Sequence, residues 1–294
     1  MLVVGIDENG YGPVLGPLVV TATLLEVEDE KLLQEGNLKE SKQVFLSGEK
    51  MSDGEILVLS FYSHLRKHKP ATPQQFLADL ILPVDDNCDS PLSICLPQFR
   101  LPHWCDEDAI DEGLATKFLK EVGAKLVEIK SISLCPAQFN KRAKNMSKAQ
   151  LDYLLFETLI LHMRNKYPKK RILFLCGFIG STKNYSQFFY NLASEEWEEE
   201  GNNGEVRYVF PNWGEIRFIK DGDKQYFPIA LSSLLGKYIR ELFIEQLNIV
   251  IREHMPSINH TSGYPNTQTN EFITKTSKLR AKLGIPDNCF IRCK

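Results

Sequence analysis

Residues 1–18 read MLVVGIDENGYGPVLGPL, and the fold turns on this stretch. Leu2 to Ile6 is an unbroken apolar run, as in a strand buried on both faces. Two adjacent acids, Asp7 and Glu8, stand at its end. A glycine-rich turn follows, with Gly10, Tyr11, Gly12, Pro13 and Gly16, and then a second apolar run from Leu18 to Leu25. A carboxylate at the end of a central strand is costly to bury alone. Its usual partner is a divalent cation, because hard cations take carboxylate oxygens. The glycines let backbone N–H groups approach a ligand closely, with phosphate or sugar oxygens as natural guests. The competing reading is a surface hairpin with two solvated acids.

The whole chain sets broad bounds. At 294 residues it can bury a large core, as one domain with an appendage or as two. Hydrophobic content of 43% and charge of 25% fit a soluble globular protein. A net charge of −3 advertises no polyanion partner, so a nucleic-acid surface has to come from a local basic patch. The 7 cysteines are odd in number and scattered without a paired CxxC, which fits free thiols in a reducing cytoplasm. His103, Cys105 and Cys95 are spaced too irregularly for a zinc site. The first strand begins at once, leaving no room for a signal peptide, and no run reaches the ~20 apolar residues of a membrane span. A cytoplasmic monomer is expected.

Outward from the first hairpin, the elements alternate. Gly48 to Lys67 reads as a helix. About 70–111 is rich in proline and acids and looks like an insertion. Ala124 to Leu134 alternates as a half-exposed strand does, Lys148 to Tyr167 is a strong helix, and Ile172 to Phe178 is another buried strand. Helix followed by strand suggests a crossover in an α/β sheet. Glu195 to Glu200, EEWEEE, reads as a solvated acidic tail, and Trp213 to Ile219 as the fifth strand. Phe227 to Leu247 is a long helix, and Glu271 to Leu283 a last one, stopped by Gly284 and Pro286.

Three later stretches carry chemistry. Asn37 to Val44, NLKESKQV, offers Ser41 as a helix cap and Lys42 as a point charge for a phosphate. Lys220 to Arg240, KDGDKQYFPIALSSLLGKYIR, places Ser233, Lys237 and Arg240 on one helix side. Ser262 to Thr267, SGYPNT, is a turn presenting Tyr264.

In this order the stretches closely resemble the type 2 ribonuclease H family (ribonuclease HII/HIII). Asp7-Glu8-Asn9-Gly10-Tyr11-Gly12-Pro13 stands where that family has Asp-Glu-Ala-Gly-Arg-Gly-Pro, with Asn9 and Tyr11 as departures. Glu40-Ser41-Lys42-Gln43 matches its Asp-Ser-Lys-Lys, and Gly263-Tyr264-Pro265 its Gly-Tyr-Pro. The resemblance implies a ribonuclease H-like α/β fold, a five-stranded mixed sheet flanked by helices, over residues 1–245, and a helical C-terminal part over 246–294. It implies metal-dependent endonucleolytic cleavage of the RNA strand in RNA/DNA hybrids. Asp7, Glu8 and Asp223 would hold Mg2+ or Mn2+, with Asp221 the other register. Gly10, Tyr11, Gly12, Ser41, Lys42, Lys237, Arg240 and Tyr264 would contact nucleic acid, the backbone of the glycine turn reading the ribose 2′-OH. The family's remaining aspartate falls at Cys176, a soft and largely neutral group that is a poor host for magnesium. Glu157 is a conceivable substitute. The expectation is a nuclease weakened at Cys176, holding one ion or binding ions weakly. The alternative is an inactive ribonuclease H-like protein that binds nucleic acid or a protein partner. An unrelated α/β enzyme with a chance acidic pair is a third reading.

Overall fold

The computed structural model describes residues 1–34, 51–84, 91–101, 103–202 and 204–293. The first apolar run forms β1 (Leu2–Asn9), followed by β2 (Leu18–Val27), β3 (Ala124–Leu134), β4 (Ile172–Gly177), β5 (Glu198–Gly201), β6 (Glu205–Phe210) and β7 (Gly214–Ile219). The helices are α1 (Met51–Arg66), α2 (Pro73–Leu80), α3 (Glu112–Glu121), α4 (Pro136–Arg142), α5 (Lys148–Lys166), α6 (Phe227–Arg252), α7 (Thr267–Lys282) and α8 (Asp287–Phe290). The strands form one mixed sheet in the order β3-β2-β1-β4-β7-β6-β5, with β1 and β4, and β4 and β7, parallel. The ribonuclease H-like class holds, but the sheet has seven strands and not five. The two unread strands are the hairpin β5–β6. EEWEEE reads as a solvated tail because its acids hide the strand period, yet Glu198–Gly201 pairs antiparallel with β6. Arg207 Nη1 donates to Glu200 Oε2 at 2.8 Å across that pair. An edge strand made of like charges resists further pairing.

β1 is covered on both faces. Val3 packs with Phe227, Leu231 and Leu235 of α6. Val4 and Ile6 pack with Phe156, Leu159 and Ile160 of α5. A third cluster joins Leu15 to Ile244, Leu247, Ile251, Phe272 and Phe290, so the C-terminal helices sit against the end of the glycine turn. α6 carries the chain across residue 245 without a break. Among the described residues no helix is long and apolar enough to cross a membrane.

α6 lies unusually close to the sheet, and small residues make that approach possible. A Cβ at Gly5 would fall 2.1 Å from the Pro228 carbonyl carbon. A Cβ at Gly236 would fall 2.6 Å from Asn9 Nδ2. Ser232 Oγ donates to Gly5 O at 2.8 Å and shares a hydrogen bond with Thr23 Oγ1, which itself reaches Pro228 O. Backbone on both sides of Gly5 leaves nothing flexible to move. Gly5→Ala is therefore expected to lower the unfolding free energy by about 1–3 kcal/mol or more. The exposed Gly204→Ala, whose Cβ would meet only Asn202 Oδ1 at 3.7 Å, should change it by less than about 0.5 kcal/mol. Urea unfolding of the two variants checks the pair.

Candidate active site

β1 delivers Asp7 and Glu8 to the mouth of a cleft of about 750 Å³. The turn after β7 delivers Asp221 and Asp223 to the same cleft, and Lys183 and Lys220 stand in its walls. Asn9 Nδ2 donates to Ser233 O at 3.1 Å, tying the end of β1 to α6 just below these groups. Asp221 takes the left-handed conformation, φ 51°, that opens this turn. Its Oδ1 accepts from Lys224 Nζ at 2.9 Å.

Cys176, where the resemblance puts a fourth carboxylate, does not line the cleft. Cys176 pairs with Ile6 in the β1–β4 register, and its side chain is fully buried in the apolar layer with Ile6, Tyr153 and Phe174. Burial, and then the nearby Asp7 charge, push its thiol up, so it stays neutral. The residue beside Asp7 in the cleft wall is Gly177. A Cβ there would lie 2.2 Å from Asp7 Oδ1, which means that the Asp7 carboxylate leans into space left by the missing side chain. Continuous apolar strands carry no alternation, so a one-residue shift in facing was invisible in the sequence.

Glu157 is no substitute. Its Oε1 accepts from the N–H groups of Tyr190 and Leu192, and its Oε2 from Asn191 N and Nδ2. It pins the loop after β4. The unexpected acid is Asp152, one and a half turns earlier on α5. It is fully buried, and neither of its oxygens has a hydrogen-bond partner. Burial first, and then the Asp7 charge, hold its carboxyl well above the usual carboxylate range, while Lys148 and Arg292 act the other way.

The glycine turn is built as its composition demands. Gly10 has φ 94°, and a Cβ there would meet Pro17 O at 2.5 Å. The turn is pinned to the Gly263-Tyr264-Pro265 turn, where Gly263 O accepts from Val14 N and Leu15 N. Tyr264 is 48% exposed and flanks Gly12. Arg240 does not face a phosphate. It is 2% exposed; Nη2 donates to Ser262 O, Nη1 to Glu241 Oε1, and its guanidinium lies 4.9 Å from the Tyr264 ring centre. Arg240 thus props Tyr264 from behind. Lys148 Nζ sits 4.4 Å over the Tyr11 ring. Burial, then the Asp152 and Glu8 charges, push the Tyr11 phenol up. Lys237 lies on α6 beyond Ser233, and Ser41 and Lys42 lie outside the described residues. Lys183, Gly177, Asp152 and Arg292 belong to no motif in the sequence, and Lys220 only opens the Lys220–Arg240 stretch. Among the described residues no three acid, thiol or imidazole groups converge on one point as placed. The donor set still suits a hard divalent cation. It consists of carboxylate oxygens around one cleft, with a second, unpartnered buried acid close behind Asp7.

Residues 4–52 match the family model described as Ribonuclease HII. The ribonuclease HII of Methanocaldococcus jannaschii is 50% identical over 44 residues, 15% of this chain and 19% of that protein. The ribonuclease HII of Pyrococcus abyssi is 42% identical over 64 residues, 21% of this chain and 29% of that protein. The matches thus span less than a third of the length of these curated relatives. The fold likeness is chain-wide. The structure of the PCNA:RNase HII complex from Archaeoglobus fulgidus aligns at TM-score 0.51 and 17% identity, over 100% of this chain and 95% of that one. A variant of Bst-RNase HIII aligns at TM-score 0.51 and 14% identity, over 98% and 65%.

Asp152 gives a pH test. A carboxyl whose value is raised by folding favours the folded state at low pH and loses that advantage as pH rises through its folded value. Metal-free wild type should therefore lose thermal stability as pH rises above the ordinary aspartate value of about 4 more steeply than Asp152→Asn does. Equal slopes in the two proteins would contradict the buried, unpartnered placement.

Proposed function

From the match of residues 4–52 to the Ribonuclease HII model and the chain-wide fold likeness, we infer that the chain is a hydrolase of the type 2 ribonuclease H family, cutting the RNA strand of RNA/DNA hybrids with Mg2+ or Mn2+. What supports this most is one observation. The acid pair ending β1 and the acidic turn after β7 border a single cleft next to a glycine turn, although more than 200 residues separate them. Asp7, Glu8 and Asp223 would hold the cation, with Asp221 beside them. A bound divalent ion supplies Lewis-acid charge to the scissile phosphate and lowers the pKa of water.

The remaining work falls to the chain's own groups. Lys183 and Lys220 line the cleft and would meet strand phosphates there, with Lys237 on α6 a further phosphate contact. N–H groups of the Gly10–Gly12 turn would take the ribose 2′-OH, the group that separates RNA from DNA. The exposed face of Tyr264, backed by Arg240, would stack on a sugar or base beside it. A second reading, a binder of nucleic acid or of a protein partner without turnover, is favoured by Gly177, because no side chain on β4 adds a carboxylate beside Asp7.

Hybrid cleavage separates the two. Wild type with Mn2+ should cut the RNA strand, and Asp7→Asn should slow this by about a hundredfold or more. Gly177→Asp, with the Asp7 carboxylate swung aside, should raise metal affinity and rate, whereas Cys176→Asp would bury a charge in the apolar layer and destabilise the fold. Hybrid binding without cutting by wild type and Gly177→Asp alike would favour the second reading.

A further inference from the structure

The C-terminal tail is built into the glycine turn. After α8 the chain runs back along it: Ile291 bridges Leu15, and Arg292 N donates to Val14 O at 2.8 Å. Asn140 of α4 holds this tail on its outer side, donating to Ile291 O at 2.7 Å and accepting from Cys293 N at 2.7 Å. The Arg292 side chain then turns inward and is 2% exposed. Its Nη2 donates to both Gly10 O and Pro13 O, the carbonyls that bracket Tyr11 and Gly12. The guanidinium carbon lies 5.0 Å from the Phe139 ring centre.

Stability alone does not account for this group. Nε and Nη1 of Arg292 are buried without hydrogen-bond partners, as are both oxygens of Asp152, the acid whose charge it feels. Burying a guanidinium so poorly satisfied is costly. An apolar side chain would leave the Ile291–Leu15 bridge and the Val14 contact in place at less cost. Burial and the Arg240 charge lower the guanidinium only to about 10, so it remains a cation at neutral pH. What the arginine adds is one nitrogen of a rigid planar group, Nη2, whose two N–H bonds bridge two carbonyls of one turn. That turn needs fixing, because its glycines leave it many conformations and Gly10 already stands at φ 94°.

We propose that Arg292 is a positioning residue for the glycine turn, holding its N–H groups in the one arrangement that accepts a ribose 2′-OH, in place of the arginine that Tyr11 displaces. The role rests on the hybrid-cutting reading given above. It makes the last residues of the described chain part of the recognition site.

The test is discrimination between sugars. Affinity for an RNA/DNA hybrid and for a DNA duplex of the same sequence is measured by fluorescence anisotropy without metal, beside the melting temperature. Wild type should prefer the hybrid. Arg292→Met should lose on the order of tenfold in that preference, the worth of about one hydrogen bond. Tyr11→Arg combined with Arg292→Met should regain part of it, which a merely structural role would not produce. If Arg292→Met does not fold, Arg292→Lys, which keeps the charge on a shorter, non-planar group, should show the same loss in smaller measure. A wild-type preference undiminished in the folded Arg292 variants would overturn the positioning role alone. Equal binding of hybrid and DNA by wild type would overturn the hybrid-reading function, and this proposal with it.

Discussion

Everything at the site depends on how closely α6 seats on β1. Glycine at residue 5 lets the first turn of the helix touch the strand backbone, and Ser232 converts that contact into a hydrogen bond to Gly5 O. Two residues further along β1 comes Asp7, and two beyond that Asn9, which ties to Ser233 O. The same seating fixes the 220–226 turn, which enters α6 and carries Asp221 and Asp223. Gly222 packs closely there, its Cβ position falling 2.7 Å from the Ile229 Cδ1 methyl. Acids distant in sequence are thus brought to one cleft by a helix that cannot shift without a backbone clash.

The electrostatics around this contact favour a ligand more than stability. Asp7 is 9% exposed at a strand end, with a second buried acid, Asp152, close enough for each to oppose the charge of the other. Arg292 and Lys148 soften that field without satisfying the Asp152 oxygens. Folded proteins keep such arrangements where charge is needed for binding or chemistry, and compensate elsewhere. Here the compensation lies in two large apolar layers and in a loop after β4 held by four donors to Glu157.

Much of this was legible in the chain. Asp7, Glu8 and the glycine turn announce themselves by an acid pair ending an apolar run. The facing of β4 was not legible. ILFLCG is apolar throughout, so nothing in it says whether Cys176 or Gly177 looks toward Asp7; only the pairing with β1 decides. Arg240 misled because its helical spacing matched a phosphate-facing row, while its partners, Ser262 and Tyr264, lie more than 20 residues away. Arg292 gave no signal at all, since a lone arginine near a chain end is ordinary and its meaning comes from tertiary contacts with the first hairpin. Asp152 was hidden in the same way, inside a helix whose hydrophobic pattern is strong on its own.

The central claim is that the β1 acids and the acidic turn together hold a divalent cation. Anomalous diffraction from crystals soaked in Mn2+ tests it most directly. The account predicts one manganese between the Asp7 and Glu8 carboxylates and the Asp221–Asp223 turn, absent from Asp7→Asn crystals, with a second ion appearing only in Gly177→Asp. No manganese in that cleft at saturating metal would contradict the claim.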